Sequence, residues 1–367
     1  MTHLAGSVRI VRVMSQRTKR LVVGSAGAGS PAIGEAAAIL ASGGLVAFPT
    51  ETVYGIGANA NDRAALERLA ALKQRPPDKP FSVHIADRKE LVRYVERVTF
   101  VGAKLADRFW PGPLTIVFGR GDGAVGVRLP AHEIARAFLR ACGVPVVAPS
   151  ANLGGEPPAS SADQVLEVMD GRIDAVLDGG AAPLAQSSTV VRVWSNGWEF
   201  LREGIISEAM IRRALKMNIL FVCTGNSCRS PIAEALCRRA LARRIEVSES
   251  GLAALGYEVA SAGTAAIGGG RASQSAIAAG AEAGLNLSRH RTQPLTLELL
   301  SNANRVYVMS ESHAATARDL CPSAAGKIEL LAPGGEEIID PVGFPPEDFE
   351  RVIAYIRACV EKRSEEL

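Results

Sequence analysis

No run of about eighteen apolar residues occurs anywhere in the chain, so no transmembrane helix is expected. A strong charge of one sign is also missing. The formal net charge of +3 is too small by itself to demand a nucleic-acid or membrane partner. Near the start, Arg9, Arg12, Arg17, Lys19 and Arg20 interrupt each apolar stretch, which argues against a secretory signal and for a cytoplasmic protein. Cysteine is sparse: six residues, at 142, 223, 228, 237, 321 and 359, without paired CxxC repeats. Neither a zinc site nor a disulfide frame is expected, and reduced thiols are. The Walker pattern GxxxxGK[ST] is absent as well, so a nucleotide would need a different cradle.

What is present is a globular composition, 47% hydrophobic and 22% charged over 367 residues, long enough for two domains with separate cores. Residues 1–29 read as an extension ending in Gly24-Ser25-Ala26-Gly27-Ala28-Gly29. The spacing is GxxGxG rather than the GxGxxG of a dinucleotide loop, so a flexible linker is expected. Ser30 as N-cap and Pro31 as first helical residue open a helix that stops at Gly43-Gly44. Strands at 45–49, 114–118 and 146–148 alternate with helices beginning near Asn61-Asp62 and at 132–141. Ser195-Asn196-Gly197 turns a hairpin between 187–194 and 198–201. This α/β domain spans 30–206, and a linker helix spans 207–216. Met217 starts a fresh pattern: strand 218–222, loop 223–230, helix 231–244, strand 305–309 and helix 349–360. That alternation predicts a doubly wound parallel-sheet domain over 217–362.

The most specific motif is Cys223-Thr224-Gly225-Asn226-Ser227-Cys228-Arg229-Ser230-Pro231, set between a strand and a helix. A loop at a helix N-terminus aims free N–H groups and the positive dipole end at an anion. Arg229 adds a planar fork for two oxygens, and the same field suits a thiolate nucleophile at Cys223. The motif resembles the C-x-G-N-x-C-R-S-P loop of the low-molecular-weight protein tyrosine phosphatases. Ser261-Ala262-Gly263-Thr264 is similar to their SAG segment and Asp340-Pro341 to their DP element. The resemblance implies that Cys223 attacks phosphorus, Asp340 is the general acid, and water hydrolyses a phosphocysteine, with no cofactor. It also implies that His290 and Ser261 brace the loop through Asn226 and Ser230. Ser227 stands where the tyrosine phosphatases usually have an aliphatic residue, and Phe344 is the nearest aromatic after DP. A small hydroxyl at that position is similar to the bacterial protein-arginine phosphatases, so phosphoarginine in a phosphoprotein is favoured over phosphotyrosine. Arsenate reductases share the loop, but their relay of further cysteines is incomplete: Cys321 fits, and no thiol stands near Met309-Ser310. Cys228 is a candidate for reversible disulfide protection of Cys223.

The first domain carries a series of polar loops: Pro49-Thr50-Glu51-Thr52-Val53-Tyr54-Gly55, Lys73-Gln74-Arg75 through Lys79-Pro80, Pro111 to Thr115, and Val127-Arg128. Ser150-Ala151-Asn152, Ser187-Ser188-Thr189 and Arg202-Glu203-Gly204 follow. Singly, each is an ordinary turn or solvated helix end. Bottom-up, the cations can converge on a polyanion while hydroxyls orient a smaller ligand. In this order they resemble the YrdC family of threonylcarbamoyl-AMP synthases, which implies a twisted α/β domain using ATP, L-threonine and bicarbonate. By that likeness Lys73, Arg75, Lys79, Thr115, Ser150, Asn152 and Arg202 bind ATP, accompanied by Mg2+. Thr50, Thr52, His84, Arg128 and Ser188 surround threonine. The product would feed N6-threonylcarbamoyladenosine formation through a tRNA-modifying threonylcarbamoyl transferase complex, with tRNA itself a candidate partner. An RNA-binding module without catalysis, using Trp110 to stack on a base, is the alternative.

Overall fold

A computed structural model describes residues 17–76 and 80–366. It divides into two compact units, with the main boundary at Ile211–Arg212 and the short stretch Ser195–Trp198 grouped with the second unit; that boundary falls inside the short helix Glu208–Leu215.

The first unit is built on a mixed sheet of ten strands: β1 Lys19–Val22, β2 Val46–Phe48, β3 Gly55–Asn59, β4 Val83–His84, β5 Leu114–Phe118, β6 Val125–Arg128, β7 Val146–Val147, β8 Ala175–Asp178, β9 Thr189–Trp194 and β10 Gly197–Arg202. Their order across the sheet is β1-β8-β2-β3-β7-β4-β6-β5-β9-β10. The expected flexible linker fails for its described part. Residues 19–22 pair in parallel with β8, Lys19 opposite Ala175 and Val22 opposite Asp178, and Leu21 is buried. Gly24–Gly29 then turn sharply, with Gly24 and Gly27 at φ +61° and +54°, so these glycines serve a turn rather than a tether. Helix Pro31–Ala41 forms as expected, although Ser30 makes no side-chain cap bond. It packs with helix Glu133–Cys142 over β2 and β8 through Ile33, Leu40, Phe48, Phe138 and Leu177. Each such side chain contributes about 1.5–3 kcal/mol on burial.

Register then sets up the site. His84 pairs with Arg128, and Arg128 with Thr115. Directly opposed residues share a face, so three adjacent strands present these side chains in one row.

The second unit is a four-stranded parallel sheet in the order β12 (Tyr257–Gly263), β11 (Met217–Cys223), β13 (Arg305–Val308), β14 (Ile328–Leu330). One face packs Leu220, Val222, Val306 and Val308 against Leu300, Ala314 and Ala317 of helices Leu297–Asn302 and Glu311–Leu320. Helix Arg229–Ile245 packs on β11 and β12 and against helix Pro346–Glu365. Chain order reverses beside β11, which makes the carboxyl end of β11 the crevice where open α/β sheets bind ligands. Cys223 ends that strand. No helix among the described residues is long and apolar enough to cross a membrane.

Candidate active sites

In the second unit, five residues connect Cys223 to Arg229, the first residue of the following helix. Asn226 holds the loop's shape from a left-handed backbone, φ +53°. Its amide is fully engaged: Nδ2 donates to Ser230 Oγ (2.9 Å) and Ser261 Oγ (2.8 Å), and Oδ1 accepts from the Gln293 N–H (2.9 Å). His290 Nε2 lies 2.8 Å from the Asn226 carbonyl. Ser261 Oγ in turn donates to Glu234. Ser230 Oγ accepts from Asn226, so its own hydrogen is free for Cys223 Sγ at 3.0 Å, a closer partner than the Ala262 carbonyl at 3.4 Å. The structure thus brings His290, Ser261, Asn226 and Ser230 into one network beneath the buried sulfur.

Gly263 is what lets β12 approach this closely. A Cβ there would stand 2.5 Å from the Thr224 carbonyl and 2.8 Å from the Asn226 nitrogen. Gly263→Ala must displace the loop backbone, and kcat towards a phosphate monoester is expected to fall about 100-fold as the loop loses alignment. Steady-state hydrolysis of p-nitrophenyl phosphate checks this.

Arg229 is buried, its side chain only 7% exposed. Nη1 donates to the Ile338 carbonyl at 3.0 Å, and Nη2 meets Asp340 Oδ2 and, at 3.5 Å, Thr224 Oγ1. Its buried Nε has no hydrogen-bond partner among the described residues, a donor suited to an oxyanion. Asp340 is about half exposed, and Phe344 is exposed. Ser227 is half-buried, its hydroxyl 3.7 Å from Cys228 Sγ. Cys228 Sγ itself lies 3.0 Å from Ser273 Oγ, and all six thiols are free.

One loop contact has no counterpart among the sequence expectations. His313 bridges Thr224 Oγ1 (Nε2, 2.8 Å) and Ser310 Oγ (Nδ1, 2.7 Å). Burial, and then the charge of Arg229, hold its pKa below the usual histidine value. The available signal was Ser310 three residues earlier, the N-cap of the helix that carries His313.

The first unit holds a cleft of about 600 Å³ lined by Thr50, Lys73, Arg75, His84, Thr115, Arg128, Ser150, Asn152, Ser188 and Arg202. Lys79 lies outside the described residues. Lys73 Nζ clamps the 150–152 turn, 2.8 Å from the Ser150 carbonyl and 2.9 Å from Asn152 Oδ1. Burial, and then Arg75, push Lys73 down to about 8. Arg202 Nη2 donates to the Ser188 carbonyl at 2.9 Å. Burial lowers its pKa, with Arg128 and Arg75 adding to the effect. Thr115 and Ser188 hydroxyls are 3.1 Å apart. His84 is pushed down to about 3 by burial and by Arg128, so the cleft meets its ligand with a neutral imidazole.

Two expectations change. Thr52 is fully buried and does not line the cleft. Trp110 is 8% exposed with Nε1 bonded to the Leu114 carbonyl at 2.7 Å, a core residue rather than a stacking platform. Arg192, unforeseen, also lines the cleft and pairs with Glu199 at 3.1 Å.

A cation-lined cleft in a mixed sheet, followed by a cysteine–arginine loop at the carboxyl end of an interior strand of a parallel one, defines a chain of two enzyme-type α/β domains. Residues 38–204 match the Sua5/YciO/YrdC family model, described as telomere recombination, and residues 218–367 match the low molecular weight phosphotyrosine protein phosphatase model. The chain belongs to both families, with a Sua5/YrdC domain followed by a low-molecular-weight phosphatase domain. A threonylcarbamoyl-AMP synthase of Pyrococcus abyssi is 42% identical over 42% of this chain and 49% of its own length. The structure of a doubly alanine-substituted P. abyssi Sua5 is 33% identical, covering 60% of this chain and 75% of that one, with a TM-score of 0.50. The low molecular weight protein tyrosine phosphatase of T. tengcongensis is 33% identical over 41% of this chain and 100% of its own, with a TM-score of 0.37. The chain spans about half the length of the curated synthases it matches.

Proposed function

We propose that the chain is a bifunctional enzyme. Its first domain condenses L-threonine, bicarbonate and ATP to threonylcarbamoyl-AMP and pyrophosphate. The observation carrying this is the cleft itself, lined by Lys73, Ser150, Asn152 and Arg202 together with His84, Arg128 and Thr50. The first set suits phosphates; the second offers a neutral acceptor and a guanidinium to an amino acid. A carbamate formed on the threonine nitrogen attacks the α-phosphorus, and the bond to the β-phosphate oxygen breaks. Mg2+ would enter the cleft on the triphosphate and offset its charge there. The product is handed to a threonylcarbamoyl transferase complex acting on tRNA. Threonine- and bicarbonate-dependent pyrophosphate release tests the assignment; its complete absence would leave a binding module.

With Lys73 at about 8, the cleft loses a phosphate-binding charge as pH rises through that value. The kcat/KM for ATP is therefore expected to fall above about pH 8, and Lys73→Arg to shift that limb upward by more than one pH unit.

The second domain hydrolyses a phosphorylated side chain. Cys223 Sγ attacks phosphorus, the leaving atom takes a proton from Asp340, and Asp340 then draws a proton from the water that releases phosphate. Asp340 pairs with Arg229, so an arriving phosphate competes for the guanidinium and frees the carboxyl for acid–base work. Phosphoarginine is the favoured substrate. Ser227 and Asp340 offer a hydroxyl and a carboxylate to a guanidinium, whereas the exposed Phe344 is the single aromatic of the DP loop. Matched phosphoarginine and phosphotyrosine peptides decide it: a higher kcat/KM for phosphotyrosine would reverse the preference.

A further inference from the structure

Glu51 does not line the cleft; it pairs with Arg128, which does, and has no part in the reading above. Its side chain is 8% exposed, and Oε1 accepts from Arg128 Nη2 at 2.8 Å. The same nitrogen donates to Thr52 Oγ1, also at 2.8 Å. The hydrogens can be traced onward. Thr50 Oγ1 gives its single hydrogen to the Val53 carbonyl at 2.6 Å, so in the 2.9 Å contact between Thr50 and Thr52 the donor is Thr52. Neither hydroxyl has a hydrogen left for a ligand. The Thr50-Glu51-Thr52 turn is therefore a holder for Arg128, which is itself buried yet still lines the cleft.

Charge in the cleft is divided unevenly as a result. Lys73 and Arg202 are held by neutral oxygens of Ser150, Asn152 and Ser188 and keep their charge for a ligand. Arg128 has a carboxylate directly against it. Coulomb attraction for a polyphosphate follows net charge, and a neutral ion pair offers little of it. A singly charged carboxylate can still be recognised by the direction of the remaining N–H groups.

We propose that Glu51 sorts the two anionic substrates: it offsets the charge of Arg128 while fixing its orientation, so that Arg128 favours the amino-acid carboxylate over a polyphosphate. This rests on the threonine-plus-ATP reading of the cleft and adds the basis of its selectivity. Glu51 is a positioning residue, acting through Arg128, and exclusion of the wrong ligand is its contribution.

Glu51→Gln in the full chain tests it, with inorganic tripolyphosphate as the probe. In the wild type, tripolyphosphate should compete with ATP and leave the threonine KM unchanged. In E51Q it should also compete with threonine, and the threonine KM without inhibitor should rise about tenfold while the ATP KM stays put. Thr52→Val removes the bond to Arg128 and the bond to Thr50 but no charge, so it should raise the threonine KM without admitting tripolyphosphate. An active E51Q in which tripolyphosphate competes with ATP alone overturns the proposal. So does a T52V enzyme in which tripolyphosphate competes with threonine, a result that remains decisive if E51Q gives no cooperative melt. Wild-type enzyme without threonine-dependent pyrophosphate release would instead remove the underlying reading.

Discussion

Cys223→Ser is expected to lower hydrolysis of p-nitrophenyl phosphate by at least about 10⁴-fold, because a serine hydroxyl lacks the nucleophilicity of a thiolate and its hydrogen-bonding neighbour is the neutral Ser230 hydroxyl. The fold should survive. The loop is braced by Asn226, Ser261, His290 and Gln293, and none of those bonds involves the sulfur. Ser230 Oγ remains as a neighbour for the new hydroxyl. A melting temperature within about 2 °C of wild type, together with unaltered pyrophosphate release by the first domain, would place the loss in the chemistry alone. Comparable activity in the serine variant would remove Cys223 from the mechanism.

Arg128→Leu should have the largest effect on the first domain, on stability as well as activity. It strands Glu51, whose Oε2 already lacks a partner among the described residues, as an unpaired buried charge. Breaking a buried pair in this way costs about 3–5 kcal/mol, which lowers the melting transition of this domain by about 10 °C. Removing both partners is different: Glu51→Leu added to Arg128→Leu should recover most of the lost stability. The double variant should stay inactive with threonine, since the guanidinium proposed to meet the carboxylate is gone. Calorimetry of the single and double variants reads the stability difference, and pyrophosphate release reads the activity.

How far the residues announce themselves depends on whether the chemistry is contiguous. The strand–loop–helix at Cys223 is legible because a phosphate cradle needs its cysteine, its turn residues and its arginine within one short segment. The strand expected at 218–222 is β11, Met217–Cys223. The cation-lined cleft is legible only as an ordered series of loops, and the register His84–Arg128–Thr115 explains why those distant segments meet. Residues that act from behind are hidden. Glu51 sits between two threonines whose hydroxyls look like substrate contacts, and only the direction of their hydrogen bonds shows that they serve Arg128. His313 reaches Thr224 from another helix, a pairing with no local sequence signature beyond its cap. The strand at Lys19–Val22 reads as linker because its partner β8 lies far along the chain, and a single buried leucine gives no alternation to follow.

In the proposed mechanism the sulfur of Cys223 takes up phosphorus beside the guanidinium of Arg229. Rapid acid quenching of the full chain with a ³²P-labelled phosphoarginine peptide, followed by peptide mapping, tests it most directly. Label on the segment containing Cys223, appearing before free phosphate and lost in Cys223→Ser, is the predicted result. Steady turnover with no protein-bound label at any quench time, or label mapped to another residue, would contradict the account.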